Sequence, residues 1–292
     1  MQNVADFLAE DSPGGQLQAG ERGSMGPFVV FNKRRFVTSS AKKQRKEGDA
    51  NLHQTPDGSF LDLQRNVFEM LRGAGVALPE ERSADDFLAR GPAASVLIHP
   101  AMGPLWEVTR QKIRNGAISE GAELRLEVVE ADIDGLRLDG SLLVNARRVM
   151  GATASGGGGG GEGDEGGAGD RIVFDDTACG RVVLHNVAVT NAGVDWAHEG
   201  TVAWAARHRR RERCEIELLG DSAFVARDVA IDGEQRFEVP DGCITIVSAG
   251  EAGEMRVETR ELRDEDRWRW EYALADDGET IELSIGAATV AS

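Results

Sequence analysis

The sequence predicts a mainly β protein in which a C-terminal β-helix (solenoid) follows a small region of mixed structure. Three observations predict this fold. From Gly121 onward apolar residues alternate with polar ones, whereas the preceding region has helical spacing. The alternating segments are about five residues long and are separated by turn residues. Between residues 216 and 246 an apolar pair recurs at steps of about seven residues, which suits a chain that turns a corner after each strand.

The N-terminal region begins with a predicted loop and a short strand. Residues 10–26 are rich in Gly, Ser and Gln, a composition that favours a surface loop. Phe28–Phe31 is an uninterrupted apolar run and predicts a short buried strand. The strongly basic stretch Lys33–Lys46 follows that strand directly.

One amphipathic helix is predicted next. Asp57-Gly58-Ser59 supplies a capping signal, and Gly73 or Gly75 is expected to end the helix. Apolar residues recur along it at i, i+3, i+7 and i+11, and two neighbours widen the stripe: Phe60, Leu63, Val67 and Leu71, with Leu61 and Phe68. This stripe is the expected buried face.

Short strands are predicted after an irregular connection, Leu97–Ser119, which carries two prolines, two glycines and a tryptophan. Apolar pairs mark the strands, and Asp-Gly or Gly-Asp turns separate several of them. The pairs are Leu124 and Leu126, Leu136 and Leu138, Leu142 and Val144, Val182 and Leu184, Val187 and Val189, Ile216 and Leu218, Val229 and Ile231, Phe237 and Val239, and Ile244 and Ile246.

A low-complexity insert interrupts the strands at residues 151–170, where Gly156–Gly161 are all glycine. A phosphate-binding loop needs a strand before it and a lysine with a helix start after it. Neither pattern flanks this insert, so a disordered linker is the prediction.

Composition excludes several classes of partner and site. The net charge of −17 disfavours nucleic acid as a partner, and no apolar run approaches the roughly 20 residues of a membrane span. Three cysteines, Cys179, Cys214 and Cys243, lie far apart, and the five histidines show no metal-ligand spacing. We therefore expect buried free thiols and no metal site.

Two basic segments are candidate anion sites. Lys33, Arg34 and Arg35 follow the predicted strand at the position where open α/β sheets bind ligands, and they could hold a phosphate or diphosphate. From composition alone, a solvated basic loop that neutralises an acidic protein is the favoured interpretation. Arg207–Arg213 presents the same two alternatives between β segments.

Several blocks of the sequence resemble the C-terminal part of plastid-type UDP-glucose pyrophosphorylases, the branch associated with sulfolipid synthesis. A weaker similarity extends to UDP-sugar pyrophosphorylases. The blocks are Met1–Asp6, Val37–Lys43, Leu52–Gly58, His99–Val108, Leu138–Leu142, Gly193–Trp196 and Phe237–Gly242.

The resemblance implies a fold, a reaction and a compartment. Residues 1–110 would be the remnant of a nucleotidyltransferase α/β domain with its connection, and residues 111–292 the β-solenoid. The family joins UTP and glucose 1-phosphate into UDP-glucose and pyrophosphate with Mg²⁺, in the chloroplast. By the same resemblance Lys33, Arg34 and Arg35 would contact phosphate.

Two functions are therefore expected from different classes. In the first, the chain is a fragment of a uridylyltransferase and is inactive alone, because the nucleotide loop and the metal-binding carboxylates lie in a part of the family's enzymes that this chain lacks. In the second, it is a stand-alone, non-catalytic β-solenoid module for oligomerisation or ligand binding.

Overall fold

The computed structural model describes residues 42–43, 51–103, 105–147, 152–153, 172–173, 179–198 and 209–287. The predicted strand Phe28–Phe31 and the basic residues Lys33, Arg34 and Arg35 lie outside this part of the chain. So does most of the predicted linker at residues 151–170.

Strands dominate the described residues. The helices are α1 (Pro56–Gly73), α2 (Ala84–Arg90) and α3 (Trp106–Lys112). The strands are β1 (Ser95–Ile98), β2 (Ile113–Arg114), β3 (Ala117–Ile118), β4 (Glu123–Glu127), β5 (Glu130–Asp134), β6 (Arg137–Asp139), β7 (Ser141–Arg147), β8 (Ala152–Thr153), β9 (Ile172–Val173), β10 (Gly180–His185), β11 (Ala188–Thr190), β12 (Cys214–Leu219), β13 (Ser222–Arg227), β14 (Ala230–Asp232), β15 (Gln235–Val239), β16 (Cys243–Ala249), β17 (Met255–Glu261), β18 (Trp268–Leu274) and β19 (Ile281–Ala287). None of the described helices is both long and apolar enough to cross a membrane.

Three parallel sheets hold most of these strands, and the chain visits them in a fixed rotation. The first sheet has the order β1-β4-β7-β12-β15, and the third has the order β14-β11-β6-β3. The second sheet runs β16-β13-β10-β5-β2, and β17 adds to its β16 edge as an antiparallel strand. From β4 to β16 the chain passes from first to second to third sheet and back again, and we call each such passage a circuit.

Register aligns the same kind of side chain from circuit to circuit. In the first sheet Glu123 lies opposite Ser141, 18 residues later, and Cys214 lies opposite Gln235, 21 residues later. The core is therefore made of apolar rows that run across the sheets. They include Leu126, Val144, Ile216 and Phe237 in the first sheet, Ile133, Leu184, Ala226 and Val247 in the second, and Leu138, Val189 and Ile231 in the third.

The corner between the second and third sheets uses residues that tolerate a left-handed backbone. Asn115, Asn186 and Asp228 all have positive φ, between 49° and 56°. The Asn186 side-chain amide donates to the Asp228 carboxylate at 2.7 Å. At the corner between the first and second sheets the residues with positive φ are Val128, Gly220 and Gly242. Val128 is β-branched, so its φ of 49° is strained.

The predicted helix is present, with a different cap and a rotated face. Thr55 is the N-cap, its Oγ1 accepts from Gly58 N at 3.2 Å, and Pro56 occupies the first turn. The cap predicted at residues 57–59 was therefore two residues late. A Cβ on Gly58 would collide with the carbonyl oxygen of Leu52, so this turn requires glycine.

The buried face of α1 is set by a hydrogen bond that apolar spacing cannot show. Gln64 is buried, its Nε2 donates to Val96 O at 3.1 Å, and its Oε1 accepts from Val96 N at 2.7 Å. Gln64 thus blocks the free edge of β1. Phe60, Phe68 and Leu71 are buried as predicted, whereas Leu63 is exposed.

In β16 the predicted apolar pair lies on the side of the sheet away from the main core. Thr245 and Val247 of β16 pair in register with core residues of β13, whereas Ile244 and Ile246 pack on the opposite side of the sheet in a small cluster with Leu262. The apolar pair was a real strand signal, and Leu262 from the segment after β17 packs against it on this outer side of the sheet.

Candidate functional site

The basic run Arg207–Arg213 is described from Arg209 onward, and its arginines are held by specific partners. Arg210 donates from Nε and Nη2 to the two carboxylate oxygens of Glu123, each at 2.6 Å. The Ser141 hydroxyl donates to Glu123 at 2.7 Å. The side chain of Glu123 is 1% exposed and that of Arg210 is 13% exposed. This is a buried bidentate ion pair, the strong geometry for arginine and carboxylate.

The other described arginines of this run contact side chains that are near them in sequence. Arg211 lies 3.0 Å from the Asp195 carboxylate, and its hydrogen bond lowers the pKa of that carboxyl. Arg213 lies 3.0 Å from Glu215, and Arg209 contacts His198 at 2.9 Å. From Arg209 to Arg213 the run is therefore mixed: Arg210 is held in a buried ion pair, whereas Arg211 is 62% exposed and lies on a solvated face, as the second alternative predicted.

A tryptophan fixes the same segment at a second point. Trp196 Nε1 donates to Gly121 O at 2.8 Å, at the corner before β4. The Trp196 ring also lies against Gly91, where an added Cβ would approach it to 3.3 Å. Trp196 and Arg210, on either side of residues 199–208, therefore both contact the start of β4.

A second polar cluster lies on the second sheet, on the side away from the core. Asp132 is 3% exposed, and it lies 2.8 Å from Arg114 and 2.7 Å from His185 Nε2. Arg227 lies 2.6 Å from His185 Nδ1. Because a guanidinium only donates, Nδ1 is assigned as the acceptor and Nε2 as the proton-bearing atom that donates to Asp132.

These clusters do not form a metal site. Within the described ranges no group of three or more His, Cys, Asp or Glu side chains is arranged to hold a metal ion. The buried carboxylate of each of these two clusters, Glu123 and Asp132, already faces an arginine. Magnesium prefers several unoccupied oxygen ligands with octahedral geometry, so the described residues do not fit a magnesium site.

The three cysteines are free thiols as predicted, but only Cys214 is buried, whereas Cys179 and Cys243 are partly exposed. Burial raises the pKa of Cys214 to about 12 and that of Cys179 to about 11, in the latter case against an opposing effect of Arg181. A thiol needs a lowered pKa to act as a nucleophile near neutral pH. Cys214 and Cys179 are therefore suited to packing and not to covalent catalysis.

A groove of about 410 Å³ opens beside β1, at the predicted irregular connection. Its walls are Leu63 and Val67 of α1, the strand end from Val96 to Pro100, and Leu126 with Glu127 of β4. Among the described residues that line it there is neither lysine nor arginine, so its chemistry suits apolar groups and not phosphates.

The repeated strands of this chain match a known protein family. A family profile described as "UGP3-like, C-terminal hexapeptide repeats" matches residues 113–285, more than half of the chain. The chain belongs to this family. The matched range begins at β2 and ends within β19, so it covers the circuits described above.

A curated plant protein matches almost the whole chain. Over 286 residues the chain is 38% identical to "UTP--glucose-1-phosphate uridylyltransferase 3, chloroplastic" of Arabidopsis thaliana, which covers 97% of this chain and 31% of the relative. The chain thus spans about a third of that relative's length, and the predicted resemblance is confirmed. No solved structure matches the chain at a significant level.

The sequence alone did not predict the buried ion pair between Glu123 and Arg210. Glu123 and Arg210 are 87 positions apart, and neither is distinguished from the many other charged residues of the chain. The groove was missed because Leu63 was assigned to the buried face of the helix. A useful signal was present in Gln64, a polar residue within the apolar stripe.

Proposed function

We propose that the chain is the C-terminal part of a chloroplast uridylyltransferase that forms UDP-glucose and pyrophosphate from UTP and glucose 1-phosphate, as a precursor supply for sulfolipid. The observation that carries the proposal is the match along 97% of the chain to the Arabidopsis relative. The activity, the substrates and the compartment are taken from the name of that relative, of which the chain spans 31%. The sulfolipid role comes from the sequence resemblance.

We propose that the role of this chain within such an enzyme is structural. We propose that the circuits form a β-helix (solenoid), which the fixed rotation of strands among three parallel sheets supports. We further propose a boundary near residue 110, where a remnant of the nucleotidyltransferase α/β domain would end. The buried pair Glu123–Arg210 supports a scaffold role, because its two charges bind each other within the protein.

Phosphate contacts are proposed for Lys33, Arg34 and Arg35. Their residue types suit charge-assisted hydrogen bonds to UTP or pyrophosphate. We propose that Mg²⁺ is held by parts of the enzyme outside this chain, since the described residues do not fit it.

The first test is the size of the native protein. An antibody raised against this chain is expected to detect a polypeptide roughly three times as long, given the 31% coverage of the relative. That full-length protein should form UDP-glucose from UTP and glucose 1-phosphate with Mg²⁺, and this chain alone should not. In the full-length protein, Lys33, Arg34 and Arg35 changed together to alanine should raise KM for UTP, whereas the exposed Arg256 changed to alanine should not. A native product of only this chain's size would overturn the proposal.

The second candidate is a non-catalytic β-solenoid module for oligomerisation or ligand binding. The apolar groove beside β1 favours it, because exposed apolar surface is the usual mark of a binding face. A native product of this size, with a sedimentation mass above that of the monomer, would support this candidate over the first.

A further inference from the structure

The last two strands form a separate two-stranded sheet. β18 and β19 pair with each other in antiparallel register from Trp268–Ala287 to Leu274–Ile281, and they belong to none of the three parallel sheets. We call this hairpin the C-terminal strap. Alternation places one apolar row on a single face of it: Trp268, Trp270, Tyr272 and Leu274 with Ile281, Leu283 and Ile285.

The apolar face of the strap is only partly covered. Tyr272 is 56% exposed, Leu274 is 67% exposed and Ile285 is 51% exposed. Because hydrophobic stabilisation scales with the apolar area removed from water, the far end of the strap gains little from this face. An isolated two-stranded hairpin is itself marginal in water.

A few hydrogen bonds hold the strap to the rest of the protein. Gln111 of α3 donates from Nε2 to Ile281 O at 2.7 Å and accepts from Leu283 N at 2.9 Å. Trp270 Nε1 donates to Ala131 O at 3.1 Å, and Arg181 Nε donates to Trp268 O at 2.8 Å.

The strap also lies against buried cations. The side chains of Lys112 and Arg181 are 1% and 4% exposed. The Lys112 ammonium is 3.1 Å from Glu130 and 6.0 Å from the centre of the Tyr272 ring. Burying an ammonium costs free energy that one partly exposed carboxylate offsets incompletely. Hydration of Lys112 therefore favours lifting of the strap.

The segment that leads into the strap is better anchored. Leu262 is buried against Ile244, Arg260 makes a bidentate pair with Asp266, and Arg267 lies 2.9 Å from Asp221. Asp221 in turn accepts from Arg181 at 2.6 Å. These contacts place the hinge between Arg267 and Trp268.

We infer that the C-terminal strap opens as a unit about this hinge while the parallel sheets stay folded, and that opening uncovers a charged face that includes Lys112 and Arg181. This is local unfolding of the least supported element of the fold, and it switches that face between a covered and an accessible state.

Native-state labelling tests the inference with two internal reporters. Acetic anhydride modifies the Lys112 amine when the strap is open, and iodoacetamide modifies Cys214, which is fully buried in the core, when the circuits unfold. Peptide mass spectrometry reads both sites in the full chain. For each site, the labelling rate in the native protein is divided by the rate in the unfolded chain. This ratio is expected to be at least a hundredfold larger for Lys112 than for Cys214.

Variants of Gln111 sharpen the test. Gln111→Ala removes two hydrogen bonds to the strap and should speed Lys112 labelling about tenfold, with Cys214 unchanged. Gln111→Glu retains the acceptor for Leu283 N and should give a smaller increase. Gln235→Ala, which removes a bond within the β14–β15 turn, should change neither rate.

Hydrogen exchange of the unmodified chain gives a second measure, independent of any variant. The amides of β18 and β19 should exchange faster than those of β10 and with a common opening free energy. Equal protection of the strap and β10, or Lys112 labelling that tracks Cys214 labelling in every variant, would overturn the inference.

Discussion

Replacing Arg210 with methionine is expected to lower the free energy of unfolding by about 3–5 kcal/mol, the cost of leaving a buried carboxylate without its partner. Glu123 is 1% exposed and receives both guanidinium hydrogen bonds at 2.6 Å. The variant retains the hydrogen bond from the Ser141 hydroxyl to Glu123, and the Arg125 guanidinium stays 3.8 Å from the carboxylate, so its charge is offset in part. The cost is therefore expected at the lower end of this range, about 3 kcal/mol.

Urea unfolding followed by far-ultraviolet circular dichroism measures this cost. The double variant Arg210→Met with Glu123→Leu removes both charges, and it should be more stable than Arg210→Met alone by about 2 kcal/mol or more, because two apolar side chains of similar volume leave no buried charge. Arg256→Met is the matched control. Arg256 is 61% exposed and pairs with Glu254, so its loss should cost less than about 1 kcal/mol.

The reasoning would be refuted by an Arg210→Met variant that is as stable as Arg256→Met, or by a double variant that is no more stable than the single one. Either result would mean that Glu123 reaches water or another cation once Arg210 is gone, and that the segment between β11 and β12 is not clamped by this pair.

Two further predictions concern the core thiol and one strained corner. The pKa of Cys214 is raised to about 12, so its stabilising contribution is complete below the unfolded thiol value of about 8.5 and is lost as pH rises toward 12. In a Cys179→Ala background, Cys214→Ala should reduce the fall in unfolding free energy between pH 9 and pH 11 by about 1.4 kcal/mol per pH unit; an identical slope in both proteins would contradict the assigned burial. Val128→Asn should raise the unfolding free energy by about 1 kcal/mol, because asparagine tolerates the positive φ at this corner better than a β-branched residue does. Val129→Asn, at a buried neighbour with ordinary φ, should lower it, and a loss in both variants would show that packing of Val128 outweighs its strain.

Local patterns predicted the strands well, because alternation needs only a few consecutive residues. Leu124 with Leu126 and Ile216 with Leu218 lie in strands and in the core as expected. The apolar spacing of α1 located the helix but not its orientation. A single hydrogen-bonded polar residue, Gln64, decided which side meets β1, and hydrophobic spacing ignores such residues.

The contacts of the candidate site could not be predicted from local sequence patterns, for a different reason. The Glu123–Arg210 pair and the Gln111 bonds to the strap join residues 87 and at least 170 positions apart. Such contacts depend on which circuit each residue occupies and on how many residues the intervening inserts hold. Charge composition alone cannot select Glu123 from the chain's 50 acidic residues.

Two inserts, residues 148–179 between β7 and β10 and residues 191–213 between β11 and β12, show why the rotation of strands survives long interruptions. Leu142 of β7 still lies opposite Cys214 of β12, although both inserts separate them in sequence. The first insert leaves after β7, where β8 and β9 pair with each other as an antiparallel ladder. The second insert follows β11, and its described residues Trp196 and Arg210 both contact the start of β4. Each insert therefore departs between two strands that belong to different sheets, so it breaks no ladder within a sheet. Register across the gap is then set by the apolar rows, since a slip of one residue would turn Ile216 and Leu218 out of the core.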